Sequence, residues 1–483
     1  MSVVAFQSAK RLAGMIRRRK LGCLELLDHY LARVERFNPA LNAIVETCIT
    51  TAREQARAAD AALSRGEVWG PLHGVPMTVK DSFDVEGLPT TWGVPAEAEN
   101  IARTDALSVA RWRKAGAVIF GKTNVPIWLA DAQAFNAIYG RTVSPWDPDR
   151  TPGGSSGGAS AALAAGMTGI EMGSDIAGSV RNPANYCGLY GLKPTFGICP
   201  TEGHTLGGNV APLDILAIGP LGRSADDLAV GLNAIAGPDE IDAAGYRLVL
   251  PRPAKKTFRE YRIAVIADDP TAPVERAIST QITRLADFLG REGADVARDA
   301  RPDVEMEEIH RTFDILLRSA TSAKHTDTER EAAFADLATR DDDDDSKWVR
   351  MLRGVTLSHR DWLRFNEQRH RMRQKWHEFF AEYDLLLCPV NCTVAFQHLS
   401  EPPYERTMTI MNTVYPFMNQ IFWTGFTGVC NLPSVAAPIG FTDEGLPIGV
   451  QIVGPQFSDR TCIHFARMLE RSYQGFIPPP GYD

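Results

Sequence analysis

Apolar residues recur at three- and four-residue spacing in three early stretches, 5–19, 23–37 and 49–65, a period that predicts amphipathic helices packing on the core that follows. Near residue 71 the texture changes. Short apolar runs rich in Val and Ile alternate with Gly/Pro turns and Ala-rich helical segments, as at 74–80, 117–121, 158–166 and 169–172. Strands interleaved with helices predict an α/β fold with a covered, mixed sheet. Residues 262–299 read as a separate strand–helix–strand unit (262–267, 274–292, 294–297), and 303–382 as charged helix. The α/β texture returns at 383–390 and in two strands, 433–441 and 447–455, joined by the hairpin signal Thr442-Asp443-Glu444-Gly445. A closing helix spans 459–472. The expected organisation is a set of N-terminal helices over 1–65, a core made of 66–240 and 383–475, and a mostly helical insertion at 241–382.

Composition adds exclusions to this picture. At 483 residues, 44% hydrophobic and 23% charged, the chain is of ordinary globular make-up and long enough to bury a large core. Lys and Arg number 51 against 59 Asp and Glu, a net charge of −8, which argues against a nucleic-acid partner. No stretch holds about 18 uninterrupted apolar residues, so no membrane span is expected. Arg17-Arg18-Arg19-Lys20 reads as the cationic end of a helix, where positive charge suits the dipole, and not as a targeting peptide. Eight scattered cysteines without a signal peptide indicate reduced, cytoplasmic usage. Cys388 and Cys392 are the closest pair, and no nearby His or Cys completes a zinc set, so no metal is expected. Five consecutive acids, Asp341 to Asp345, read as a solvated or mobile loop.

Two motifs imitate chemistry that their context denies. Gly116-Ala117-Val118-Ile119-Phe120-Gly121-Lys122-Thr123 matches the phosphate-loop pattern letter for letter. That loop curls backbone N–H groups around a phosphate after a strand and before a helix. Here the middle residues are themselves strand-like, and Pro126 interrupts the helix that should follow. Gly153-Gly154-Ser155-Ser156-Gly157-Gly158 holds two overlapping G-x-S-x-G matches, but a nucleophile elbow needs a preceding strand. What precedes it is the irregular, proline-rich run from Pro145 to Pro152.

The third candidate is the whole stretch 153–197. The glycine-rich run 153–158 leads into a helix at 159–165, and Gly173-Ser174-Asp175-Ile176-Ala177-Gly178-Ser179-Val180-Arg181 follows. Upstream, Val75-Pro76-Met77-Thr78-Val79-Lys80-Asp81 is an apolar strand ending in a lysine. A lysine acts as a base only when neutral, so it must be desolvated, and an apolar strand end facing glycine loops provides that. A hydroxyl between such a lysine and a second serine passes protons both ways. No histidine falls inside these blocks, which favours Ser–Ser–Lys over Ser–His–Asp.

With these blocks the chain resembles the amidase signature family of serine hydrolases, over about 5–235 and 383–475. Supporting blocks are Gly121-Lys122-Thr123-Asn124 and Gly188-Leu189-Tyr190-Gly191-Leu192-Lys193-Pro194-Thr195. The resemblance implies a central twisted mixed β-sheet covered by helices on both faces, with a helical insertion, and an enzyme that needs no cofactor. It implies Ser179 as nucleophile, Ser155 as the bridging hydroxyl held by a cis peptide, and Lys80 as base. It implies an oxyanion hole from the backbone of Ile176, Ala177 and Gly178, where Ala177 departs from the glycine more usual in the family. It also points to Leu129, Ala130 and Asp131 as substrate-pocket residues. Asp175 and Arg181 are expected to order these loops, as are Asn136 and Tyr139.

Phe417, Phe422, Trp423 and Phe426, just before a core strand, are expected either as core packing or as an aromatic wall for bulky, apolar or aryl amides. The function expected is hydrolysis of a small-molecule carboxylic amide to carboxylate and amine, with esters or carbamates as further substrates. The alternative is the glutamine-hydrolysing component of a tRNA-dependent amidotransferase, against which the acidic insertion and the aromatic segment both speak. The helical N-terminus and the insertion suggest a homodimer.

Overall fold

The computed structural model describes residues 2–206 and 209–483. Most of the short apolar runs become strands of one 11-stranded sheet. Across it the order is Ile44–Thr47, Val118–Thr123, Pro76–Lys80, Glu171–Asp175, Ala217–Gly222, Tyr190–Lys193, Ser434–Phe441, Pro447–Val453, Leu385–Cys388, Arg262–Val265 and Asp295–Arg298. The pairing is mixed. Pro76–Lys80 runs parallel to both of its neighbours, whereas the middle of the sheet is antiparallel. Every residue of Pro76–Lys80, Val118–Thr123, Glu171–Asp175, Ala217–Gly222 and Pro447–Val453 is buried, so both faces there are covered. The outermost strands, Ile44–Thr47 and Asp295–Arg298, keep exposed positions.

The helix Gly157–Ala164, made of small and apolar residues with Ser160 its one polar side chain, is fully buried against the strands Pro76–Lys80, Val118–Thr123 and Glu171–Asp175. Near the N-terminus run the helices Ala9–Arg17, Cys23–Leu41 and Ile49–Ser64. Ser8 caps the first of these through the Arg11 N–H, and Arg17 lies in its last turn. Between the last two, Ile44–Thr47 joins the sheet as an edge strand, too short to show a period in the sequence.

The stretch read as a separate strand–helix–strand unit is not separate. Its strands, Arg262–Val265 and Asp295–Arg298, extend the main sheet in parallel beside Leu385–Cys388. The long charged region forms the helices Met306–Ala320, Asp327–Leu337, Lys347–Val355 and His359–Glu382. Met306–Ala320 packs against Phe422–Val429, which brings the insertion up to the core. The acidic run is only partly free: Asp345 pairs with Arg350 at 2.6 Å and Arg311 at 3.1 Å, and Asp344 accepts from the Ser346 N–H. In the phosphate-loop lookalike the strand Val118–Thr123 runs straight through Lys122. The buried Lys122 ammonium donates to Thr90 Oγ1 at 3.0 Å and to the Pro89 carbonyl, so nothing there faces a phosphate.

Candidate active site

Three parallel strands, Pro76–Lys80, Val118–Thr123 and Glu171–Asp175, end at one edge of the sheet, with Lys80 in register with Thr123. The carboxyl edge of parallel strands is where loops converge on a ligand. Lys80 is the last residue of its strand, the 153–156 loop precedes the buried helix, and residues 176–180 follow the third strand. Gly153 has a φ of +89°, and a Cβ on Gly154 would stand 2.5 Å from the backbone of Asp131 and Gln133. Only glycine lets these chains pass so closely. The Ser156 N–H donates to the Ser179 carbonyl at 3.1 Å and the Gly154 N–H to Asn182 Oδ1 at 2.9 Å, tying the two loops together. The Gly154–Ser155 peptide is cis.

Lys80 Nζ lies 2.6 Å from Ser155 Oγ and 3.0 Å from Ser174 Oγ, and it is fully buried. Burial pushes its pKa down to about 7, against the pull of the Asp175 and Asp81 carboxylates, so the free amine is populated near neutral pH. Ser155, Ser174 and Ser179 line one cleft with Ile176 and Ala177, and Lys80 sits behind the first two. An amine that can be neutral, a hydroxyl touching it and a second hydroxyl in the same cleft are the parts of a proton relay to a nucleophile.

Asp175 organises the loop around Ser179. Its carboxylate accepts from the N–H groups of Gly178 (2.7 Å), Val180 (3.1 Å) and Arg181 (3.3 Å). The Arg181 guanidinium grips it at two points, 2.7 and 2.9 Å, and also donates to Gln451 Oε1 and the Thr424 carbonyl. Burial alone would raise the Asp175 pKa, but Arg181, together with Lys193 and the Gly178 N–H, outweighs it and holds the group at about 2. The Gly178 N–H is one of the Asp175 donors, and Gly178 itself takes a φ of +108°, which only glycine adopts freely. Ile176 and Ala177 do face the cleft, and Ala177 has no positive φ, so its methyl group fits.

Leu129, Ala130 and Asp131 line the opposite wall. Asp131 is neutralised by Arg406 at 2.8 Å. Two tryptophans not singled out in the sequence, Trp92 and Trp128, stand beside them in left-handed backbone, at φ +52° and +55°. Their loops are clamped by the Trp128 N–H on the Trp92 carbonyl (2.8 Å) and by Asp81, which accepts from the Thr91 and Trp92 N–H groups. Bulky residues hold such a conformation only where surroundings impose it. The expected aromatic wall at 417–426 is divided. Phe417 lines the cleft, whereas Phe422, Trp423 and Phe426 are core, with Phe426 stacked on Trp376 at 5.1 Å.

Asn136 donates to Asn124 Oδ1 and accepts from the Ile138 and Tyr139 N–H groups, while Tyr139 donates to Glu46. His204, Arg318 and Lys324 also border the cleft and left no local signal in the sequence. His204 contacts Ser82 Oγ at 3.0 Å and packs on Phe83 and Trp92; burial drives its pKa down to about 3, with Lys80 adding to the effect. Burial therefore favours its neutral imidazole. Arg318 and Lys324 arrive from the insertion, which carries none of the family's blocks.

Comparison with known proteins gives the family. The family described as Amidase matches residues 25–463. The chain is 32% identical to an indoleacetamide hydrolase of Bradyrhizobium diazoefficiens, over 96% of this chain and 86% of that protein. It is 30% identical to one component of the glutamyl-tRNA(Gln) amidotransferase of Moorella thermoacetica, over 97% of this chain and 96% of that one. Among solved structures, a chain from a vestigial protein complex tied to the evolutionary origins of an s-triazine catabolic enzyme superposes with a TM-score of 0.81 at 28% identity, covering 98% of this chain and all of that one. The chain belongs to the amidase family, with its mixed-sheet α/β fold, and is a hydrolase acting on carbon–nitrogen bonds.

Proposed function

We propose, with that membership as the premise, that this enzyme cleaves a carboxylic amide bearing an apolar or aryl group through an acyl-enzyme on Ser179. The observation that carries the reading is the 2.6 Å contact between the buried Lys80 amine and Ser155, in a cleft that Ser155 shares with Ser179. Neutral Lys80 takes the Ser155 proton as Ser155 takes that of Ser179, and Ser179 Oγ attacks the amide carbon. Ile176 and Ala177, which line the cleft with Ser179, supply backbone N–H groups to the developing oxyanion. The relay then runs backward, so that Ser155 protonates the departing amine, and water attacks the ester by the same route. Esters and carbamates with the same acyl shape fit this scheme too.

The apolar character of the substrate rests on Trp92, Trp128, Leu129, Leu213, Leu216 and Phe417 along the cleft, and on the likeness to an indoleacetamide hydrolase. A second reading, glutamine hydrolysis within a tRNA-dependent amidotransferase, rests on the 30% identity to a component of such an enzyme. All eight cysteines are free, which supports placing the protein in a reducing compartment such as the cytoplasm.

The test is turnover of p-nitroanilide, aryl-amide, carbamate and glutamine substrates by the parent and by Ser179→Ala. Turnover of apolar aryl substrates, lost by a factor of about 10⁴ or more in the variant, supports the proposal. Turnover of glutamine alone favours the second reading, and activity that survives Ser179→Ala removes Ser179 as nucleophile.

A further inference from the structure

The cleft carries an imbalance of charge that the proposed chemistry does not use. Arg318, near the end of the helix Met306–Ala320, and Lys324, in the short turn Ser322–Lys324, both line it alongside Ser155 and Ser179. Neither forms an ion pair with a described residue. Arg318 lies over the Tyr404 ring, 4.9 Å from its centre. The carboxylate that acts on Lys324, Glu329, is already engaged in capping a helix, where it accepts from the Thr326 N–H and hydroxyl at 2.7 and 3.0 Å. The carboxylate on the cleft wall, Asp131, is taken by Arg406. Two cations therefore border the cleft without an ion-pair partner among the described residues.

Like charges in such a place repel and are poorly solvated, and a bound anion relieves both costs. Burial lowers the Lys324 pKa to about 8, Arg318 pushes the same way, and Glu329 only partly offsets them. We infer that Lys324 and Arg318 form an anion subsite, so that the preferred amide carries a carboxylate on the part of the molecule remote from the scissile bond. The inference rests on the amide-hydrolase reading and narrows its substrate class to anionic, partly apolar amides. Lys324 is a specificity residue here: it meets the substrate's charge and takes no part in bond breaking.

The experiment compares matched substrate pairs: the mono-4-nitroanilide of succinic acid against butyric 4-nitroanilide, and N-acetyl-4-aminobenzoate against acetanilide. The first pair places the carboxylate on the acyl side and the second on the amine side. The parent enzyme should prefer the charged member of at least one pair by about tenfold in kcat/KM, as a charge-assisted contact predicts. Lys324→Met should bring that ratio close to one, Arg318→Met should lower it, and Lys324→Arg should keep most of it. The same pairs are then bound to Ser179→Ala protein, where the preference is read without turnover. Equal kcat/KM and equal binding within both pairs overturn the subsite, as does a preference that survives Lys324→Met combined with Arg318→Met. A binding preference with no turnover of any of the amides overturns the hydrolase reading and leaves the subsite standing.

Discussion

Replacing Arg181 by Met tests the claim that one buried ion pair holds the Ser179 loop. Both partners are fully buried, and Arg181 meets Asp175 at 2.7 and 2.9 Å. Methionine fills much of the same space but leaves the carboxylate without its charge partner. Breaking a buried pair from one side costs about 3–5 kcal/mol. At about 2.1 cal/mol/K per residue, a chain of 483 residues unfolds with an entropy of about 1 kcal/mol/K, so Tm should fall by about 3–5 °C by scanning calorimetry.

The pH dependence of this loss has a definite sign. In the parent, Asp175 is depressed to about 2, so its stabilisation is complete above the ordinary carboxylate value and is lost only as pH falls toward 2. In the variant only Lys193 and the backbone N–H donors still oppose burial, so the same group rises, and the penalty is greatest where it has to be charged. The gap in Tm should therefore narrow between about pH 7.5 and about pH 4.5. Because Asp175 accepts the N–H groups on either side of Ser179, kcat should also fall by about 10²-fold. A Tm within about 1 °C of the parent at both pH values, with kcat intact, would refute the reasoning.

Three further outcomes follow from the same geometry. The kcat/KM profile should rise through about pH 7, since Lys80 must lose its proton to act as a base, and a profile flat across that value contradicts the assignment. Gly154→Ala should lower kcat about 10²-fold, because its Cβ meets backbone atoms of Asp131 and Gln133 at 2.5 Å and Ser155 must shift; full activity would mean that the loop yields cheaply. Magnesium–ATP should leave Tm unchanged, whereas binding at Gly116–Thr123 at a hundred times its Kd would raise it by about 3 °C, since the stabilisation of about 2.7 kcal/mol acts on an unfolding entropy of about 1 kcal/mol/K.

Much of the site was legible because its signals are local. Lys80 closes an apolar strand, and the glycine runs around Ser155 and Ser179 mark backbones that pass within contact distance of others. The lookalike phosphate loop was equally readable, since Ala117 to Phe120 have a strand's composition and Lys122 is buried within that strand. These features depend on residues a few positions apart, where period and turn chemistry act directly.

What the sequence determined by itself, then, was the type of most elements, the order of the blocks, and which lysine and serines stand at strand ends and loop tips. The tertiary structure alone decided the rest. It placed Arg262–Val265 and Asp295–Arg298 at the edge of the main sheet and divided the aromatic segment between the cleft at Phe417 and the core at Trp423. It also carried Arg318 and Lys324 to a cleft whose serines lie well over a hundred residues earlier in the chain. The physical reason is range. Periodicity and turns record interactions between neighbours, whereas sheet order and the walls of a cleft follow from contacts such as that of Arg181 with Gln451, 270 residues away, which leave no mark on the local pattern.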